Sequence, residues 1–208
     1  MPGESCDSRV MTDRETEMPG GTPGEAPRET PRGRAPRGPL KKRSLENAAL
    51  HYLERHASSV EGLRRVLARR VERAAREERC DRDEAAGWVE DIVTRFARSG
   101  LVDDRLFAEG KVASRRRRGE SARRIRMTLR EKGVDPDLID QALAEEDGDD
   151  ARAAESTAAW RLARRRRLGP YRAADRETHR DRDLAALARA GFDLGTARAV
   201  IDADEPPE

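Results

Sequence analysis

The sequence predicts an all-α protein: an elongated array of three tandem three-helix units, about nine helices, behind a flexible N-terminal tail. Three observations predict it. Apolar residues recur at helical spacing from residue 45 to residue 201, the mark of amphipathic helices. No segment shows β-branched alternation bounded by hairpin turns, as strands would. Finally, LARAGFDLGTARAVI (187–201) lays over LREKGVDPDLIDQAL (129–143) at a constant offset of 58, pairing Gly191 with Gly133 and Asp193 with Asp135, which is an internal repeat.

Residues 1–43 hold most of the prolines and many glycines, with charges of both signs and no sustained period; such a stretch buries too little surface to offset its chain entropy and is expected to be a flexible, basic tail. The first unit is expected over 44–100. Leu45, Ala48, Ala49, Tyr52 and Leu53 fall at i, i+3, i+4, i+7, i+8 on one stripe. The segment SSVE places Ser58 as N-cap with Glu61 three residues on, a capping box, ahead of Val60, Leu63 and Leu67. A third helix, about Arg82 to Arg98, carries Trp88, Val89, Ile92, Val93 and Phe96, and Gly100 ends it.

The second unit, 101–146, repeats this grammar. Asp103 or Asp104 caps a helix containing Leu106 and Phe107 that runs into Arg115–Arg118 and stops at Gly119. Ser121 caps the next, with Ile125 and Leu129 facing inward and Gly133 terminating it. Asp135 followed by Pro136 starts the last, because proline at the first helical position loses no needed hydrogen bond and has its φ preset. The acidic linker EEDGDD (145–150) leads to the third unit, 147–203, whose first helix holds Ala154, Ala158, Trp160 and Leu162 and is interrupted by LGPYR (168–172). Residues 204–208 form a C-terminal tail.

With 36% hydrophobic, 3% aromatic and 40% charged residues, thin modules sharing apolar surface are expected rather than one deep core. The cysteines Cys6 and Cys80 are far apart and lack metal-like spacing, which fits a reducing compartment. No apolar run approaches the ~18–20 residues of a membrane span, and the N-terminus has no apolar signal segment. A soluble, cytoplasmic protein is expected, with a monomer as the default.

The net charge of +2 hides strong local patterning: between Lys111 and Lys132 there are ten Lys/Arg against Glu120 and Glu131. At roughly 100° per residue, Arg123, Arg126 and Arg130 fall within about 60° of one another, opposite Ile125 and Leu129. Arg115, Arg116, Arg117 and Arg118 must splay around their helix end, where the macrodipole favours cations. A second cluster, Arg161, Arg164, Arg165, Arg166 and Arg167, ends the equivalent helix of the third unit. Like charges so gathered point to a polyanionic partner, most simply a nucleic-acid backbone. The candidate binding residues are these, together with Lys111 and Arg124.

The aromatic residues Tyr52, Trp88, Phe96 and Phe107 lie in apolar stripes, and few Asn or Gln accompany the arginines, so contact without base reading is expected. No phosphate-binding Gly-rich loop with a following Lys occurs. His51 and His56 are set about 140° apart on a helix and His179 lies in a polar stretch, so no metal pair forms. Asp103–Asp104 and Asp147–Asp150 read as a cap and a linker. Neither enzyme chemistry nor a cofactor is expected. Binding of nucleic acid by a free-standing helical protein is the alternative reading, since SARRIRMTLREKG (121–133) could pass for a recognition helix.

The segments ALHYLERHASSVEGLRRVL (49–67), GLVDDRLFAEGKVASRRRRGESARRIRMTLREKGVDPDLIDQAL (100–143) and LARAGFDLGTARAVI (187–201) resemble the bacterial RecX regulatory family. The middle block is the most specific: Gly-Leu-Val-Asp-Asp, Phe107-Ala108, an arginine-rich end, then RRIRMTLREKGV and a helix with Leu138-Ile139 and Ala142-Leu143. The resemblance covers about residues 44–203, with 69–87 and 164–183 departing from the pattern. It implies three tandem three-helix units and a modulator, usually an inhibitor, of the RecA recombinase. Such a protein lies in the groove of the RecA–DNA filament, blocks its extension and depresses ATP hydrolysis and strand exchange.

Overall fold

The computed structural model describes residues 38–207; the expected tail up to residue 37, with Cys6, lies outside them. Among the described residues the chain is all-helical: α1 (Lys42–Leu53), α2 (Val60–Arg76), α3 (Arg82–Arg98), α4 (Asp104–Arg117), α5 (Ala122–Glu131), α6 (Pro136–Asp147), α7 (Ala151–Arg166), a 3-10 turn (Gly169–Tyr171), α8 (Arg176–Arg189) and α9 (Leu194–Ile201). None of these helices is long and apolar enough to cross a membrane. The buried apolar residues form three clusters. The first joins Leu45, Leu63, Leu67, Ile92 and Phe96, the second Phe107, Ile125, Leu129 and Ile139, and the third Leu162, Leu187, Val200 and Ile201. The first cluster begins earlier than Ser44, because Leu40 is buried in it, and it reaches Val102.

Most helices start on the residue type that satisfies their exposed amides. Asp81 accepts from the Glu84 amide at 2.8 Å, Asp103 from Arg105 and Leu106 at 2.8 and 3.0 Å, Asp135 from Asp137 at 2.8 Å and Asp193 from Thr196 at 2.9 Å. Each such cap contributes about 1 kcal/mol. One assignment from sequence is corrected: α2 is capped by Ser59, whose Oγ accepts from the Gly62 amide at 3.0 Å, while Ser58 Oγ donates to the Ser59 carbonyl. Glu61, instead of closing a capping box, pairs with Arg64 and Arg65. The Arg64 hydrogen bond holds its carboxyl below the usual range against the opposing effect of burial.

The reason for Ser59 lies in the next cluster. Its hydroxyl donates at 2.6 Å to the carbonyl of Lys132, the residue that closes α5. Ser121, the N-cap of α5, does the same at 2.7 Å to the carbonyl of Ala190, which closes α8. One buried hydroxyl thus accepts an orphan amide of its own helix and donates to an orphan carbonyl of another. The C-terminus of α8 meets the N-terminus of α5, and the C-terminus of α5 meets the N-terminus of α2, so unlike dipole ends face each other. Each junction has a second bond of one kind: the first amide of α2, at Val60, donates to Asp104 of α4 at 2.8 Å, and the first amide of α5, at Ala122, donates to Glu155 of α7 at 3.1 Å. Burial pushes the Asp104 carboxyl up despite the Val60 amide. Gly191 permits the Ser121 contact, since its φ is +97° and a Cβ there would lie 2.5 Å from the Ser121 hydroxyl.

Between the second and third clusters lies a buried ionic knot. Arg116 is 4% exposed. Its guanidinium donates to both carboxylate oxygens of Asp147, at 2.8 and 2.5 Å, to Glu155 at 2.7 Å and to the Glu120 carbonyl at 3.2 Å. Burial lowers its affinity for the proton, but the carboxylates outweigh this and raise it. Asp147 is therefore the last residue of α6 and a partner of Arg116, where sequence made it part of a linker. In the third cluster, buried Asp183 accepts from the Gly169 amide at 2.9 Å and from two guanidinium nitrogens of Arg172 at 2.7 Å each, pinning LGPYR against α8. Burial pushes this carboxyl up, and the bonds from Arg172 and Gly169 more than reverse it.

Arg116→Met strands the buried carboxylates of Asp147 and Glu155 and is expected to lower the unfolding free energy by about 3–5 kcal/mol, read by urea denaturation; exposed Arg117→Met changes it by less than about 0.5 kcal/mol. In the same measurement Ser59→Ala and Ser121→Ala each cost about 1–3 kcal/mol, for a lost cap and an orphaned buried carbonyl, while Ser58→Ala is near neutral.

Candidate nucleic-acid interface

The arginine groups expected from sequence divide by the work their side chains do within the chain. Arg116 is the clearest correction: it continues the buried stripe of Ala108 and Val112 and is consumed by Asp147 and Glu155, so it is withdrawn from the candidate surface. Arg126 is tied to Asp140 at 2.6 Å, which leaves Arg123 and Arg130 as the free cations of that stripe. Arg115 is half-buried and holds Glu120 at 2.6 Å. Arg161 donates to the Arg116 carbonyl at 3.2 Å, and Arg165 to the Arg118 carbonyl. Lys111 rests over the Phe107 ring, 5.4 Å from its centroid. Arg117, Arg118, Arg123, Arg124, Arg130, Arg164, Arg166 and Arg167 are exposed, and their guanidinium groups have no partner among the described residues.

The two clusters come together in one place. A cleft of about 380 Å³ is lined by Arg115, Arg124, Arg165 and Arg166, by the Gly119 turn and Glu120, and by Arg189 and Ala190. Its walls are the C-terminal ends of α4, α7 and α8 and the start of α5. Five arginines line the cleft with a single carboxylate among them, that of Glu120, which Arg115 holds. Close approach of α4 to α7 requires Gly119: its φ is +71°, and a Cβ would come within 2.7 Å of the Ala158 carbonyl.

Arg123, Arg126 and Arg130 line a separate depression of about 430 Å³ around Met127, which is 44% exposed. Arg117, Arg118, Arg164 and Arg167 line neither.

Arg189 escaped the reading of the sequence because the offset of 58 sets it on Glu131, an acid, so the repeat gave no cationic expectation there. Its signal was its place in the last turn of α8, beside the residue that docks on Ser121. The cleft can hold a tetrahedral anion among planar, multidentate donors, which is how arginine engages phosphate. Among the described residues no group of acidic, His and Cys side chains could hold a metal ion.

Comparison with known proteins bears on the family and the fold. The family model for RecX, second three-helix domain, matches residues 103–143. The regulatory protein RecX of Myxococcus xanthus (strain DK1622) is 44% identical over 175 residues, 81% of this chain and 92% of that protein. That of Halorhodospira halophila (strain DSM 244 / SL1) is 34% identical over 166 residues, 79% and 91% of the two chains. Among solved structures, a crystal structure of regulatory protein RecX superposes with a TM-score of 0.57 at 20% identity, covering 78% of this chain and 72% of that one. RecX from Lactobacillus salivarius gives 0.54 at 17%, covering 77% and 94%. The two structures share the all-helical fold, and the length and level of identity to the Myxococcus and Halorhodospira proteins place this chain in the family of RecX regulatory proteins.

Proposed function

We propose that this protein binds the RecA–DNA filament and modulates it, mostly by inhibiting its ATPase, its extension and strand exchange. The observation that carries the reading is the cleft lined by Arg124, Arg165, Arg166 and Arg189, whose one carboxylate, Glu120, is neutralised by Arg115. A cationic concavity of this kind takes a phosphodiester backbone, single- or double-stranded, without reading sequence, because its donors are guanidinium groups rather than amides matched to base edges. Arg123, Arg130 and the exposed Met127 form a neighbouring surface of mixed character, suited to a protein protomer beside the DNA. Two weak contacts on one scaffold reinforce each other when their spacing fits the partner. The protein acts by binding, as a monomer, in the cytoplasm, in recombination and repair; no catalytic step is assigned to it.

The test is DNA-dependent ATP hydrolysis by the cognate recombinase, with this protein titrated in below stoichiometry. Arg124→Glu combined with Arg166→Glu is expected to raise the half-inhibitory concentration about tenfold or more, a change of roughly 1.4 kcal/mol or more in binding, with helicity unchanged. Raising salt is expected to weaken inhibition steeply, since each phosphate contact adds about 0.7–0.9 to the slope of log K against log salt. Unchanged inhibition by the double variant removes the cleft from the mechanism. Equal affinity for bare DNA and for the filament assigns the protein instead to free-standing nucleic-acid binding.

A further inference from the structure

The first cluster carries a cationic surface that neither arginine run announces. Two adjoining depressions lie along α1 and α2, of about 360 and 540 Å³, sharing Ala48, His51 and Arg70. Their cations are Lys41, Arg43, Arg55, Arg69, Arg70 and Arg73, with the imidazoles of His51 and His56 between them, and no carboxylate lines either depression. All six side chains are exposed, and none has an ion pair or hydrogen bond among the described residues. Arg69, Arg70 and Arg73 stand at i, i+1 and i+4 on α2, so they share one side of that helix.

The acids of the same helices face the other way. Lys42 and Glu46 of α1 pair with Asp91 and Arg95 of α3, Arg64 of α2 with Glu90, and Glu72 with Arg82. Beside the groove His51 Nδ1 lies 3.4 Å from the Glu54 carboxylate, which itself lines neither depression. Charge on this cluster is therefore sorted: paired toward α3, unpaired and positive along the groove. Like charges on one face repel, and a polyanion lying along it relieves the repulsion.

The groove also holds rings. Tyr52 lines it half-buried, and His56, beyond the end of α1, lies over it with centroids 5.1 Å apart and planes tilted by 44°. Flat π surfaces among arginines suit a strand whose bases are free to stack beside their own phosphates, which a duplex does not offer.

We propose that the groove between α1 and α2, bounded by Lys41, Arg43, Arg55, Arg69, Arg70 and Arg73, is a second DNA site that takes a single strand, phosphates on the guanidinium groups and a base against the His56–Tyr52 pair. The choice of DNA rests on the filament reading above; the site itself is tested on bare oligonucleotide, without recombinase. Binding of the full chain to a labelled oligothymidylate is followed by fluorescence anisotropy over a series of salt concentrations. The triple variant Arg69→Gln, Arg70→Gln, Arg73→Gln is expected to flatten the slope of log K against log salt by about 2, three contacts at about 0.7 each, with an unchanged circular dichroism spectrum. An unchanged slope overturns the site.

His56→Ala is expected to weaken oligothymidylate binding by roughly tenfold and leave a duplex of the same length unaffected, since stacking on one base contributes about 1–3 kcal/mol. An equal loss on both, or no loss on the single strand, overturns the single-strand assignment. Because Arg124 and Arg166 lie outside the groove, failure of their variants to relieve ATPase inhibition leaves this result untouched, and the two readings fail separately.

Discussion

The way the three clusters meet, and with it the arginine cleft, depends on two buried serine hydroxyls. Ser59 and Ser121 each bind an amide of their own helix and a carbonyl that closes a helix from the following cluster. A helix end buried without partners is costly, so bringing the end of one helix against the start of another is stable only if something serves both sets of orphan groups. A hydroxyl is the smallest side chain that accepts and donates at once. Alanine would leave both ends unserved, and aspartate, which serves amides well elsewhere in this chain, offers no proton to a carbonyl. The arginine cleft is a consequence: Ala190, whose carbonyl meets Ser121, is one of its walls, and α5 begins there because Ser121 caps it.

Arg116 shows how a run of like residues conceals unlike roles. Successive helical residues turn by about 100°, so four in a row cannot all reach solvent when the helix lies against a core. The one that falls inward is fixed by register: Ala108, Val112 and Arg116 are spaced by four, and all three are buried. This much was legible. Its partners were not, since Asp147 and Glu155 lie 31 and 39 residues away, and Asp147 sits in a stretch whose acidity reads as linker. A buried guanidinium is tolerable only with carboxylates in good geometry, so Asp147 serves that ion, although an acid at a helix C-terminus runs against the macrodipole.

Local features of the fold were legible because they are decided locally. The Asp caps, the Asp135–Pro136 start and the glycine stops each act within four residues, and they stand in the structure at Asp103 and Asp135 and at Gly100, Gly119, Gly133 and Gly191. The choice between Ser58 and Ser59 was not local. Either can cap by type, Ser58 even has a glutamate at the capping-box distance, and the contact that selects Ser59 is made 73 residues away. LGPYR likewise reads as an interruption in sequence, and only Asp183, 14 residues on from Gly169, turns it into an anchored element. In the candidate surface, residue type was legible and pairing was not: Arg123 and Arg126 look alike in sequence, yet Asp140 holds only Arg126.

That distinction governs how the net charge of +2 should be read. Charges of both signs are nearly balanced in number, so an even mixture would leave a featureless field. Instead, several acids pair where helices abut: Glu90 and Asp91 against α2 and α1, Asp147 and Glu155 on Arg116, Asp202 on Arg180. Arginines at the outer ends of α4, α7 and α8 and along α2 are left over. Ion pairs at exposed positions contribute little to stability, and each removes one acid and one base together from the surface field. What leaves the cleft and the groove positive is position: unpaired acids such as Asp83, Glu84 and Asp149 are exposed elsewhere and line neither, so a chain of nearly zero net charge can present a polyanion with two cationic surfaces.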